Sequence, residues 1–464
     1  MTGLIAGLPS VQAALNNLAA RHRVPGASLA ILDGDEIIQA TTGVTSRATG
    51  VEVTADTLFQ IGSITKVYTT TMIMQLVDEG KIELDKPVGH YLPNLKLKEP
   101  SLPAIISVGE LLNHTSGMVG DFFEDHGSGD DCVAKYVADL AEQLPTHPPG
   151  LMFSYCNAGF TLAGYLIEQI TGQAFHEAFN ERLRKPLGLN DTTLLAEEML
   201  AYRYAVGHVG GQGRWPDPAP SVLMPRSSVP AGSRTSATPL DVLRFARFHI
   251  AGGLASDGSR RLSTASVQLM QTRSVDYVSA PEAGFGRGWQ VGSWDGQRML
   301  GHTGGTYGQL AFLYLLPDQG FAVCLLTNSD TGALLWQDLA RWIFKEFAGV
   351  VTPRPPKPIG PGHGIDLTPY DGTYARIANH YEVKVDGEQL ILTWTTTEVG
   401  EDHESQQMRL DPVEPGRFVT KLGETTMMVD FLEFDEAGRP GYLHVGSRAA
   451  PRVKSATTPD PPAA

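Results

Sequence analysis

Apolar positions along the chain change their spacing more than once, and each spacing predicts a different element. Residues 26–32 and 36–40 are β-prone runs separated by Asp33-Gly34-Asp35, the chemistry of a hairpin turn, so an early antiparallel pair is expected. From Ser63 through Val67, Met72, Ile73, Leu76 and Val77 to Gly80 the apolar residues recur near helical spacing. A serine at the start and a glycine past the end frame a buried helix of about five turns. A second helix is predicted from Ala158 through Phe160, Leu162, Leu166, Ile167 and Ile170, stopped by Gly172. Between Gln290 and Asn328 the pattern turns to strands: 298–300, 310–316, a Pro317-Asp318-Gln319-Gly320 turn, and 321–327. Strands from both ends of this region bracket helices, which implies an α+β layer whose sheet unites distant sequence.

Near Val350 the composition breaks. Pro353, Pro355, Pro356, Pro358 and Pro361, with Gly360, Gly362 and Gly364, make a stiff, non-helical connector. The boundaries expected from this are 1–350, a linker at 351–366, and 367–464. Beyond the linker come short β-rich runs at 372–376, 381–385, 389–395, 417–421, 427–434 and 442–445, with Asp386-Gly387 and Ala437-Gly438 supplying turns. This rhythm predicts an antiparallel β-barrel or sandwich, with a frayed tail from Ser455 to Ala464.

With 464 residues, more than one domain is expected, and 42% hydrophobic residues suffice for sizeable cores and exclude wholesale disorder. A net charge of −15 repels phosphate backbones and anionic lipid, and no local basic patch opposes it, so neither nucleic acid nor membrane is an expected partner. Gly7, Pro9, Ser10 and Gln12 interrupt the start, which lacks the basic, then unbroken apolar pattern of an export signal. No stretch has the length of a membrane span, and the expected location is cytoplasmic. Cys132, Cys156 and Cys324 are scattered and odd in number, which argues against a disulfide framework or a cysteine zinc site. The histidines, among them His22, His208 and His363, show no metal-ligand spacing, so no metal or cofactor is expected.

The sharpest chemical signal is Ser63-Ile64-Thr65-Lys66, an S-x-x-K at a predicted helix start. Residues three apart on a helix share a face, so the amine can take the hydroxyl proton if burial or a neighbouring cation lowers its pKa from roughly 10. Alone, the pattern also describes an N-cap serine with a surface lysine. Two further segments change that: Tyr155-Cys156-Asn157 just before the second helix, and His302-Thr303-Gly304-Gly305 on a strand. There is no G-x-S-x-G elbow for a Ser-His-Asp hydrolase and no dinucleotide-binding glycine register.

At these residues the chain resembles the serine β-lactamase and penicillin-binding-protein-like hydrolases. The resembling branch holds class C β-lactamases, D-aminopeptidases, DD-carboxypeptidases and esterases. The resemblance spans about residues 10–348 and includes Leu111-Leu112-Asn113-His114-Thr115-Ser116-Gly117, Pro230-Ala231-Gly232 and Gly286-Arg287-Gly288-Trp289. It implies an antiparallel sheet flanked by helices with an all-helical region. It also implies Ser63 as nucleophile, Lys66 as its proton acceptor, and Tyr155 as the general acid or base that serves the leaving group and the deacylating water. Asn157 would bond the acyl-side amide of a small-molecule or peptide substrate. His302, Thr303 and Gly304 would line the opposite wall, and the Ser63 and Gly305 N–H groups would form the oxyanion hole. The activity implied is an acyl-enzyme hydrolase of amide or peptide bonds, with an esterase or acyltransferase as the alternative and a dead binding scaffold as the contrasting class.

His302 stands where β-lactamases usually carry lysine, which points away from antibiotic hydrolysis. Tyr307 stands where many relatives have proline and is expected to narrow the entrance or stack on substrate. Asp121, Glu124, Asp125, Asp130 and Asp131 crowd one loop, read either as a solvated acidic surface or as the holder of a substrate ammonium. His114 is expected to be a structural hydrogen-bonding residue, and Cys156 a small buried side chain. The C-terminal unit resembles the lipocalin-like barrel appended to some peptidases of this family, with homo-oligomerisation or covering of the cleft as its expected roles.

Overall fold

The computed structural model describes residues 3–211, 213–277, 283–360, 362, 364–396, 405–423 and 425–453. The expected frayed tail, together with Pro361 and His363, lies outside the described residues. The chain divides into two compact units, Met1–Arg354 and Pro355–Ala464.

The first unit is built on an eight-stranded antiparallel sheet. Its order is Glu36–Gly43, Gly26–Asp33, Phe321–Thr327, Gln309–Leu316, Gln297–Thr306, Gln290–Trp294, Ala283–Phe285 and Val275–Asp276. The N-terminal hairpin therefore pairs with sequence about 300 residues away, with Ala30 opposite Cys324. Alternation decides which face each residue serves. Leu29, Ile31, Val323 and Leu325 point into a core with Val11 and Leu15 of the helix Leu4–Arg21 and with Leu335, Leu339 and Ile343 of the helix Gly332–Ala348. The hydrophobic runs did not reveal these two helices, although Leu335, Leu339 and Ile343 recur every fourth residue. Gly7, which interrupts the first, is a packing residue: a Cβ there would meet the Phe347 ring at 2.5 Å.

The opposite sheet face carries the helix Pro239–Ile250, behind which lies the helix Thr65–Asp78; Tyr68 stacks on Phe245 at 3.6 Å between ring centres. The helix Asn157–Thr171 centres the helical region and ends at Gly172, whose φ of 70° supplies the left-handed stop its sequence predicts. Among the described residues, no helix is long and apolar enough to cross a membrane.

The second unit is a nearly closed, eight-stranded antiparallel barrel whose strands follow chain order from Gly372–Arg376 to Arg448–Pro451. Closure runs through a bridge between Tyr374 and Arg452 and the Val453 N–H bonded to the Thr373 carbonyl at 2.8 Å. Aromatic residues at alternate positions, Tyr374, Tyr381, Phe418 and Phe431, fill it. Two of its strands, Ser405–Glu414 and Arg448–Pro451, were not legible in the sequence. The former buries Met408, Leu410 and Pro412 at alternate positions between mostly polar neighbours, and its register shifts between Pro412 and Glu414.

Candidate active site

Ser63 lies inside a 3-10 turn, Gly62–Ile64, that leads into the helix Thr65–Asp78, and it caps nothing. The backbone around it leaves no room for a regular helix start. Gly62 has φ 51°, and a Cβ on it would stand 2.6 Å from the Gly305 nitrogen. On Gly232, at φ 107°, a Cβ would meet the Gly62 carbonyl oxygen at 2.1 Å; on Gly304 it would meet the Ile61 carbonyl oxygen at 1.9 Å. The strand Gln297–Thr306 and the end of the turn Arg226–Ala231 thus close on Ser63 from two sides. A Cβ on Gly304 would also stand 3.0 Å from the Ser63 nitrogen, so the Ser63 and Gly305 nitrogens both lie at this close approach.

Lys66, one turn on, is fully buried, which excludes a surface lysine beside a capping serine. Its Nζ donates to Ser63 Oγ at 2.9 Å, to Asn157 Oδ1 at 2.6 Å and to the Ala231 carbonyl at 2.6 Å. It also lies 4.9 Å from the centre of the Tyr155 ring and 5.5 Å from that of Phe160. The i, i+3 spacing that paired serine with lysine carries no sign of the Ala231 carbonyl, a main-chain acceptor that no residue type betrays.

His114 holds the segment carrying Tyr155 at three points. The Ser154 N–H donates to the His114 carbonyl at 2.9 Å, the Cys156 N–H donates to His114 Nδ1 at 2.9 Å, and the imidazole stacks on the Tyr155 ring at 4.2 Å. His114 adopts φ 66°, a left-handed value, to present carbonyl and ring together. Cys156 points away into the protein: its Sγ accepts from the Gly159 N–H at 3.2 Å and donates to the Val119 carbonyl at 3.3 Å. Burial pushes its thiol up to about 11, so it is no nucleophile at neutral pH.

His302 is buried, and its Nδ1 lies 2.6 Å from the Thr303 carbonyl, which can only accept. The ring proton therefore sits on Nδ1, and Nε2 keeps a lone pair, with no hydrogen-bond partner among the described residues. Burial, with Lys66 adding, pushes the His302 imidazole down to about 3. The site thus has a neutral ring where a lysine would bring a second cation. Thr303 and Gly305 are exposed on the alternate positions of the strand, and Tyr307 is 43% exposed at its end, with its carbonyl against Gly207.

The acidic loop does not act as one cluster. Asp130 pairs with Arg226 at 2.5 Å, Asp131 with Lys135 at 2.8 Å, and Asp125 bonds the Gly127 N–H. Among the described residues, Asp121 is the loop acid that reaches the site, accepting from Asn157 Nδ2 at 2.8 Å.

A serine, a buried amine, a phenol and an asparagine thus meet under a glycine-lined strand, and the comparison with known families agrees with that arrangement. The model described as Beta-lactamase matches residues 11–346. The chain belongs to the beta-lactamase family. Within that family of serine hydrolases it is 41% identical over 363 residues to Penicillin-binding protein 4 of Amycolatopsis lactamdurans, covering 77% of this chain and 95% of that one. It is 26% identical over 334 residues to the D-aminopeptidase of Brucella anthropi, covering 70% of this chain and 60% of that one. Among solved structures, SurE superposes with a TM-score of 0.77 at 28% identity, covering 97% of this chain and 99% of its own; SurE with D-Leu gives 0.76. The beta-lactamase-like sheet and the C-terminal barrel are therefore shared along nearly the whole length.

Proposed function

We propose that this protein hydrolyses amide bonds at D-configured residues through an acyl-enzyme on Ser63. The observation that carries the reading is the Lys66 Nζ at 2.9 Å from Ser63 Oγ, with Asn157 Oδ1 and the Ala231 carbonyl, both acceptors, at 2.6 Å. A neutral amine that donates to these two acceptors can turn its lone pair toward the serine proton. Ser63 Oγ attacks the carbonyl carbon while that proton moves to Lys66, and the oxyanion is met by the Ser63 and Gly305 N–H groups. The C–N bond then breaks, and the departing amine takes a proton through the Tyr155 phenol, which Lys66 resupplies. Water reverses the sequence: it attacks the ester carbonyl, yields its proton to the same relay, and Ser63 leaves as the hydroxyl.

Support for the D configuration comes from the D-aminopeptidase relative and from SurE, whose structure was solved with D-Leu. Support for amides over β-lactams comes from the neutral His302, which brings no second charge to a substrate carboxylate. The test is a panel of D- and L-aminoacyl p-nitroanilides, p-nitrophenyl esters and a chromogenic cephalosporin, run with Ser63→Ala and with mass analysis of the Ser63 peptide. A D-anilide preference, an acyl adduct on Ser63 and a loss of about a thousandfold or more in Ser63→Ala are expected. Turnover surviving in Ser63→Ala overturns the mechanism, and a preference for L substrates overturns the stereochemical part.

A further inference from the structure

An asparagine amide is nearly symmetric in shape and opposite in chemistry at its two ends. At Asn157 that difference decides what Lys66 can do. With Oδ1 toward Lys66, the amine donates to Asn157 and Ala231 and, once neutral, can turn its lone pair to Ser63, 2.9 Å away. With the amide turned over, Nδ2 would face Nζ at 2.6 Å, and the lone pair would be drawn to that donor instead of to the serine. Asn157 is 5% exposed, so solvent does not choose between the two. Asp121 does: its Oδ1, which as a carboxylate oxygen only accepts, lies 2.8 Å from Asn157 Nδ2.

The loop holds Asp121 to this task. The Asn157 N–H donates to the Gly120 carbonyl at 2.8 Å, so the residue before Asp121 is tied to the residue it must orient. A Cβ on Gly120 would stand 2.8 Å from the Tyr155 carbonyl oxygen, which makes this a close backbone approach and not a loose surface turn. From this geometry we infer that Asp121 is a positioning residue for acyl transfer. It fixes the Asn157 amide and, through it, the direction of the Lys66 lone pair. Its negative charge behind Asn157 also favours the ammonium that forms when the Ser63 proton arrives. The inference rests on the Ser63–Lys66 reading above and adds a third member to the line: carboxylate, amide, amine. It gives the loop acid a role different from holding a substrate ammonium.

The experiment measures kcat and KM separately for Asp121→Ala, Asp121→Asn, Asn157→Ala and the Asp121→Ala/Asn157→Ala double variant in the full chain. Substrates are one free-amine anilide and its N-acylated analogue. Asp121→Ala is expected to lower kcat by about 10- to 100-fold with KM within threefold on both substrates. Asp121→Asn, whose amide oxygen can still accept from Asn157 Nδ2, is expected to recover kcat to within about fivefold of wild type. On the Asn157→Ala background, Asp121→Ala is expected to change kcat less than twofold, because there is no longer an amide to orient. An undiminished kcat in Asp121→Ala overturns the inference. So does an undiminished additive loss in the double variant, which would mark a general structural role. A rise in KM confined to the free-amine substrate, with kcat unchanged, overturns it in favour of an ammonium anchor. In each of these cases Ser63 would still be acylated in the wild type; absence of that adduct would instead remove the reading beneath.

Discussion

Around Ser63, glycine is required by what comes close to it from elsewhere in the chain. A Cβ on Gly304 would stand 1.9 Å from the Ile61 carbonyl oxygen, and one on Gly232 2.1 Å from that of Gly62. In the barrel, Gly387 and Gly438 have φ values of 61° and 72°, and a Cβ on either would meet nothing within 4 Å. The same residue type therefore serves two ends. In the first unit it lets three backbone segments converge on a nucleophile; in the barrel it lets a hairpin turn. The first need is tertiary and the second local, and they respond differently to mutation.

The largest effect is expected at Gly304. Adding one methyl group there by Gly304→Ala forces the strand Gln297–Thr306 away from Ile61 and shifts the Gly305 nitrogen relative to that of Ser63. Since misplacing a reacting group by about 1 Å can cost a hundredfold, kcat/KM should fall by about 100-fold or more. Overpacking of backbone against backbone should also cost about 1–3 kcal/mol in urea unfolding. Wild-type turnover in Gly304→Ala would show that this crowding does not position the nucleophile.

The same contrast explains how much was legible in the sequence. Local chemistry could be read: the Asp386-Gly387 turn, the Gly172 stop of the Asn157–Thr171 helix, the strands between Gln297 and Thr327, and the i, i+3 pairing of Ser63 with Lys66. Features that exist only when distant segments meet could not. The Ala231 carbonyl on Lys66, the doubled grip of His114 on the Tyr155 segment, and the selection of Asp121 from five acids in one loop belong to this class. Ser63 looked like a helix cap because serine favours that position, yet backbone crowding turned its helix start into a 3-10 turn and left its oxygen to Lys66. In the helix Leu4–Arg21 a packing glycine and Pro9 obscured the apolar repeat.

A smaller tertiary effect, caused by burial and not by crowding, is expected at the far end of the helix that begins with Asn157. Burial, with Asp130 adding, pushes the Glu168 carboxyl up to about 7 against the lowering influence of the Phe175 N–H and Arg226. The folded chain then keeps a proton that the unfolded chain has released from about pH 4.5 upward, so stability falls as pH rises through 4.5 to 7 and stays reduced above. Glu168→Gln keeps an oxygen for the Phe175 N–H, which Glu168 now bonds at 2.9 Å, and removes the titration. The variant should match wild type near pH 4 and exceed it by about 1–2 kcal/mol at pH 8, allowing for partial solvent screening. Thermal unfolding at the two pH values measures this. An equal difference at both would mean that the ionisation of Glu168 is not what burial costs.

The smallest effect is expected where glycine answers only a local need. Gly387 opens the two-residue connection between the strands Asn379–Asp386 and Gln389–Thr396, where Asp386 pairs with Gln389. Gly387→Ala introduces a Cβ into open space, so there is no clash to relieve and no neighbouring strand to move. What remains is the intrinsic penalty of holding an L side chain at φ 61°, about 1 kcal/mol, partly offset because alanine loses less backbone freedom on folding. Chemical denaturation should therefore show a loss of no more than about 1 kcal/mol with an unchanged dependence on denaturant, since the surface exposed on unfolding stays the same. A loss at Gly387 equal to or larger than that at Gly304 would invert the order. It would mean that turn geometry, and not the convergence of backbones, sets how much each glycine contributes.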